Sequence, residues 1–116
     1  MAERGGIMLR IDGALAFVPA AIALKVVPAP KVTRVVGAPP ELLGIALHEG
    51  QTLPVVAIGP ARHTMVVCTI GGEAIGLVGG EPISAGMTSD ETARSIDLAA
   101  IYARIQAGGW ATRWAG

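Results

Sequence analysis

The chain is poor in nearly every residue type that marks a specialised class. It carries one cysteine, Cys68, so no internal disulfide can form. Aromatic residues make up only 3% of its 116 positions. Charged residues are 16%, with 9 Lys+Arg against 9 Asp+Glu, and no run of like charge occurs. The basic stripe expected of a nucleic-acid binder is therefore missing. Long apolar runs are missing too. The longest, Ala14 to Leu24, is interrupted by Pro19 and falls short of the ~20 residues a membrane span needs. Arg10 and Asp12 before it, and Pro19 within it, also make it a poor signal peptide. No internal repeat or linker divides the chain. The expectation is one cytoplasmic domain that neither binds nucleic acid nor inserts into a membrane.

What is present is aliphatic. Hydrophobic residues reach 52%, with 16 glycines and 8 prolines as punctuation. A domain near this size buries roughly two-thirds of its unfolded surface. Zero net charge on a lightly charged surface also favours association. The apolar excess thus has two uses, a core and a surface that meets a partner.

Turn chemistry organises the chain. Residues 1–6 read as a flexible start. Ile7, Leu9 and Ile11 alternate with Met8 and Arg10, the period of a half-buried strand. Asp12-Gly13 suits a two-residue hairpin turn that needs positive φ twice, and Ala14 to Val18 returns. Pro19 with two following alanines predicts a short early helix running into Val26-Val27, stopped by Pro28 and Pro30. Lys31 to Val36 is β-branched and suits an edge strand. Leu42–Leu47 and Thr52–Ile58 form a second hairpin across His48-Glu49-Gly50-Gln51. Pro54 argues that its second arm is an edge, begins at the proline or carries a bulge. Thr64–Ile70 and Glu73–Val78 form a third hairpin across Gly71-Gly72. Gly79 to Ser95 reads as loop, with a capping-box pattern at Thr88 to Glu91. Leu98, Ile101, Tyr102 and Ile105 repeat at helical spacing until Gly108-Gly109. Trp110 and Trp114 stand in the tail, 107–116. Short strands at close spacing predict small β-barrels.

Reactive constellations are absent. His48 and His63 share no metal-ligand spacing with each other or with Cys68. His48 beside Glu49 reads as a solvated hairpin tip, because a catalytic pair also needs a cleft. Cys68 lies in the apolar run Met65-Val66-Val67-Cys68 and reads as an inert buried thiol. Gly76 to Gly80 lacks the lysine of a phosphate loop and does not fit G-x-G-x-x-G. The chain is read as a non-enzyme with no metal and no cofactor. Ile22, Leu24, Val26 and Val27 either fill the core or line a groove for a partner helix.

Several segments, in order, carry a resemblance. They are Phe17 to Ile22 through Val26-Val27, then Val32-Thr33-Arg34-Val35, then Gly37 to Ile45, then Leu53-Pro54-Val55-Val56. Glu73 to Val78 and Ser95-Ile96-Asp97-Leu98 complete the set. Over residues 7–106 the chain resembles the CheW-like domain. The resemblance implies a mainly β fold of two small SH3-like barrels with a terminal helix. It implies a non-catalytic adaptor joining chemoreceptor signalling tips to a CheA-type histidine kinase. It also implies a receptor groove at Ile22, Leu24, Lys25, Val26, Val27, Leu77 and Val78, and an array-contact turn at His48, Glu49 and Gly50.

Three departures qualify it. The family usually carries Asn-Leu-Arg-Gly where this chain has Leu47-His48-Glu49-Gly50, so Glu49 reverses a charge. Acidic residues expected after the Pro-Val-Val and Gly-Leu-Val segments are Ala57 and Gly79. A pair of strands expected before the last helix is replaced by 79–94, which predicts an incomplete barrel with uncovered edges. The chain is thus similar to the shortened members found in the Frizzy chemosensory system of gliding bacteria. Expected partners are a chemoreceptor signalling domain and, less strongly, a CheA-type kinase or another CheW-like protein. The alternative is a dimerising regulatory or decoy module that uses the open barrel edge.

Overall fold

Three two-residue turns set the register of the chain. Asp12-Gly13, Glu49-Gly50 and Gly71-Gly72 all hold positive φ at both positions, between 50° and 84°. That is the geometry whose twist matches paired strands. The computed structural model describes residues 4–37, 42–88 and 93–107. The expected capping box, apart from Thr88, and the tail tryptophans lie outside these residues.

The first turn joins β1 (Arg4–Ile11) to β2 (Ala14–Pro19). The strand thus starts at Arg4, inside the stretch expected to be flexible. The chain continues as β3 (Ala23–Pro28) and a two-residue β4 (Val32–Thr33). The second turn joins β5 (Leu42–His48) to β6 (Gln51–Ala57), and the third joins β7 (Thr64–Ile70) to β8 (Glu73–Val78). Then come β9 (Glu81–Thr88), β10 (Arg94–Ser95) and α1 (Leu98–Ala107).

Two sheets result. One has the order β10-β2-β1-β9 and the other β3-β7-β8-β6-β5-β4. In the larger sheet, β3 pairs with β7 and β4 pairs with β5, so segment 23–33 reaches both ends of the sheet and curls it. This is the mainly β architecture expected, although neither hydrogen-bonded ladder closes into a ring.

Three expectations are corrected. The early helix is absent: after Pro19 the chain makes one tight turn, with Ile22 N–H donating to the Pro19 carbonyl, and then extends. Pairing of Val26 and Val27 with Val66 and Met65 outweighs the local helical signal of Pro-Ala-Ala. Residues 81–88 are not loop. They form an eight-residue strand along β1, running antiparallel from Arg4↔Thr88 to Arg10↔Glu81. Third, β6 is interior, between β5 and β8, despite Pro54. His48↔Gln51 closes the turn, so the alternation puts Ile45↔Pro54 at a non-hydrogen-bonded pair. The proline nitrogen thus points away from β5, and the β6–β8 ladder begins only at Val55.

The core explains the aliphatic composition. Ile7, Leu9, Ala16 and Val18 of the small sheet meet Val56, Val66, Cys68, Ile75 and Leu77 of the large one. Leu98 of α1 joins this inter-sheet core, with Ile101 and Tyr102 packed against it. The opposite face of the large sheet encloses Ala46, Leu53, Val55, Met65, Val67 and Val78. Met8, Phe17 and Ala93 form a small third cluster on the far side of the small sheet. Neighbours such as Val55/Val56, Val66/Val67 and Leu77/Val78 therefore face two different cores, which is why these strands read as continuous apolar runs. Asp97 caps α1: its Oδ1 accepts the Ala100 N–H at 3.0 Å.

Candidate functional site

The expected groove residues separate into two groups. Leu77 and Val78 are each 1% exposed and lie in the two cores, so they are corrected from contact residues to core residues. They stand in β8 with β6 on one side and β7 on the other, where no partner can reach them. Ile22 and Val27 are half-buried and pack against the cores. Leu24, 60% exposed, and Val26, 39% exposed, are the accessible apolar residues of β3. A register shift between Ala23 and Lys25 interrupts the alternation there, and Lys25, paired with Val67, faces the hairpin tip together with Leu24.

There it meets the second expected set. Lys25 Nζ donates a hydrogen bond to Glu49 Oε1, making an ion pair between residues 24 positions apart. The lysine holds the Glu49 carboxyl below its usual range, first by that hydrogen bond and then by charge. His48 Nε2 lies 3.7 Å from the same oxygen. That nitrogen is buried and makes no hydrogen bond. The turn itself is strained enough to need Gly50, at φ 77°, while Glu49 takes φ 50°.

Together these groups rim a pocket of about 220 Å³. Gln51 and Leu24 complete the rim, and Leu53, Val67 and Ala74 line its wall. Leu53 and Val67 are 3% exposed and belong to the enclosed core, so the pocket is that core's open mouth. Sequence reasoning named Lys25 and Glu49 for separate surfaces and missed that they touch. It also missed the wall residues, which carry no local signal distinguishing them from ordinary core.

Other candidates are quiet. Cys68 is fully buried, and burial pushes its thiol up to about 12, so the thiolate that would react is suppressed. His63 is exposed in a loop, where its carbonyl accepts the Ala29 N–H. Among the described residues no group of three or more His, Cys, Asp or Glu could hold a metal ion. No helix among them is long and apolar enough to cross a membrane. A second pocket, about 320 Å³, lies between the β1–β2 hairpin and β10, lined mostly by Ile11, Leu15 and Ile96 with Arg94 at its edge. The small sheet ends at β9, with no strand beyond it among the described residues and Ile83 46% exposed.

This two-sheet layout has a solved counterpart. The scaffolding protein TtCheW of Thermoanaerobacter tengcongensis superposes with a TM-score of 0.66 over 78% of this chain and 68% of its own. The chain has a CheW-like fold. Sequence identity over that likeness is 17%. No family model and no curated protein sequence matches the chain. The CheW-like fold accounts for both sheets and for the final helix.

Proposed function

We propose that this chain is a non-catalytic adaptor of a bacterial chemosensory complex. It binds a chemoreceptor signalling tip, and its docking to a CheA-type kinase is weakened. The observation that carries the reading is the CheW-like fold, shared with a protein described as a scaffold. Leu24 and Val26, apolar and exposed along β3, supply the receptor contact. A receptor tip would lay apolar helical positions against them, as helices do in grooves. One feature supports the weakened kinase contact. Glu49 stands where the resembled family carries arginine, and Lys25 already engages it.

The test is isothermal titration of the full chain with its cognate receptor signalling domain and, separately, with the kinase regulatory domain. The expected result is receptor binding with kinase binding at least tenfold weaker. Equal affinity for both would overturn the selective part of the reading. Absence of both, together with a dimer mass in light scattering, would replace it with the dimerising module, for which the free edge of β9 is the supporting observation.

A further inference from the structure

The mouth of the large sheet holds a buried nitrogen with no hydrogen bond to another side chain or to the backbone. His48 Nε2 lacks a partner, although a carboxylate oxygen sits 3.7 Å away. Buried polar atoms in folded proteins are nearly always satisfied, so such an orphan asks for an occupant. Lys25 Nζ and His48 Nε2 both face one atom, Glu49 Oε1. Glu49 satisfies the first and stays beyond hydrogen-bond distance of the second. Its side chain is 67% exposed on a two-residue turn, so that swinging outward would cost it the Lys25 ion pair and carry it into solvent. Beneath it the wall is apolar, formed by Leu53, Val67 and Ala74.

From this we infer that the mouth is a binding site for a small carboxylate bearing a short aliphatic tail, and that Glu49 is its tethered competitor. A free carboxylate offers two oxygens, one for Lys25 and one for His48, which is the pairing Glu49 leaves incomplete. The tail takes the place of water over Leu53 and Val67. The volume, about 220 Å³, is below the range of drug-sized sites and limits the ligand to a few carbons. An inorganic anion would use the rim alone and leave the apolar wall wet. A carboxylate without a tail would do the same.

The experiment titrates the isotopically labelled full chain with hexanoate and follows the backbone amides of Gln51, Val67 and Ala74 by NMR. Saturable shifts at these three amides are expected. Glu49→Gln removes the competitor and should tighten binding about two- to fivefold, the scale of one exposed ion pair. Lys25→Met should abolish the shifts while the spectrum keeps its dispersion, which separates lost binding from lost fold. No shift in either the parent chain or Glu49→Gln would overturn the site. Equal shifts with hexanol would overturn carboxylate recognition. An unchanged affinity in Glu49→Gln would overturn the role of Glu49. These titrations contain no receptor or kinase, so their failure leaves the adaptor reading untouched.

Discussion

Leu77 and Leu47 carry the same side chain in opposite surroundings, and truncating each to alanine tests the architecture. Leu77 is 1% exposed and sits in the core shared by the two sheets, alongside Ile7, Leu9 and Val18 of the small sheet. Leu47 is 64% exposed on β5. Burying a leucine side chain is worth about 1.5–3 kcal/mol in transfer alone. Truncation in a core adds a cavity term, giving about 2–5 kcal/mol in total. The strands on both sides of Leu77 are hydrogen-bonded, so the site can collapse little and the upper half of that range, about 3–5 kcal/mol, applies. A domain of this kind has about 5–15 kcal/mol of stability, so this is a large share. For this chain length about 3–5 °C is lost per kcal/mol, so Leu77→Ala should melt about 9–25 °C lower. Leu47→Ala should stay within about 0.5 kcal/mol. Urea unfolding followed by circular dichroism gives both numbers. Methyl signals of Ile7 and Val66, one from each sheet, should vanish together, because both pack in the one shared core. Similar costs for the two variants would refute the placement of Leu77, and separate transitions would refute the shared core.

Other outcomes follow from single contacts. Asp97→Ala removes the cap on α1 and should cost about 1 kcal/mol, seen as a lower melting point with α1 amides exchanging faster. Gly76→Val would drive a side chain into Met65 and Leu53, and overpacking should cost about 1–3 kcal/mol in urea unfolding. Cys68 should resist alkylation in the folded chain and react at once in denaturant. Its thiol ionises near 9.0 when unfolded and is pushed up to about 12 when folded. Stability from this group is therefore whole below pH 9 and falls by about 1.4 kcal/mol per unit as pH rises from there toward the folded value. Alkaline unfolding of Cys68→Ala, measured beside the parent chain, should lack that slope.

The parts legible in the sequence were those fixed by neighbours in the chain. Asp12-Gly13 and Gly71-Gly72 announce their turns because positive φ is a local demand, and the strands around them follow. The final helix is legible for the same reason, in its spacing and its stop. What was illegible depended on distant partners. Pro19-Ala20-Ala21 looks helical until β7 is there to pair with β3. Pro82 and Gly86 look like loop residues until β1 lies alongside. Leu77 and Val78 read as one apolar patch, and only a sheet buried on both faces sends them to different cores. The ion pair of Lys25 with Glu49 joins two elements that are neither adjacent in sequence nor hydrogen-bonded to each other.

The pairing of β1 with β9 has a consequence for how the molecule is made. Arg4 lies opposite Thr88, so the first strand cannot complete its sheet until the ninth has left the ribosome. At about 5–20 residues per second, that is a wait of roughly 4–17 s. Throughout it, the edge of β1 that β9 will occupy stays unpaired, even after Val56, Val66 and Leu77 have arrived to cover Ile7, Leu9 and Val18. Isolated hairpins are marginal in water. The β1–β2 hairpin thus waits long for its edge partner, and a chaperone that shields unpaired strand edges would find its substrate there.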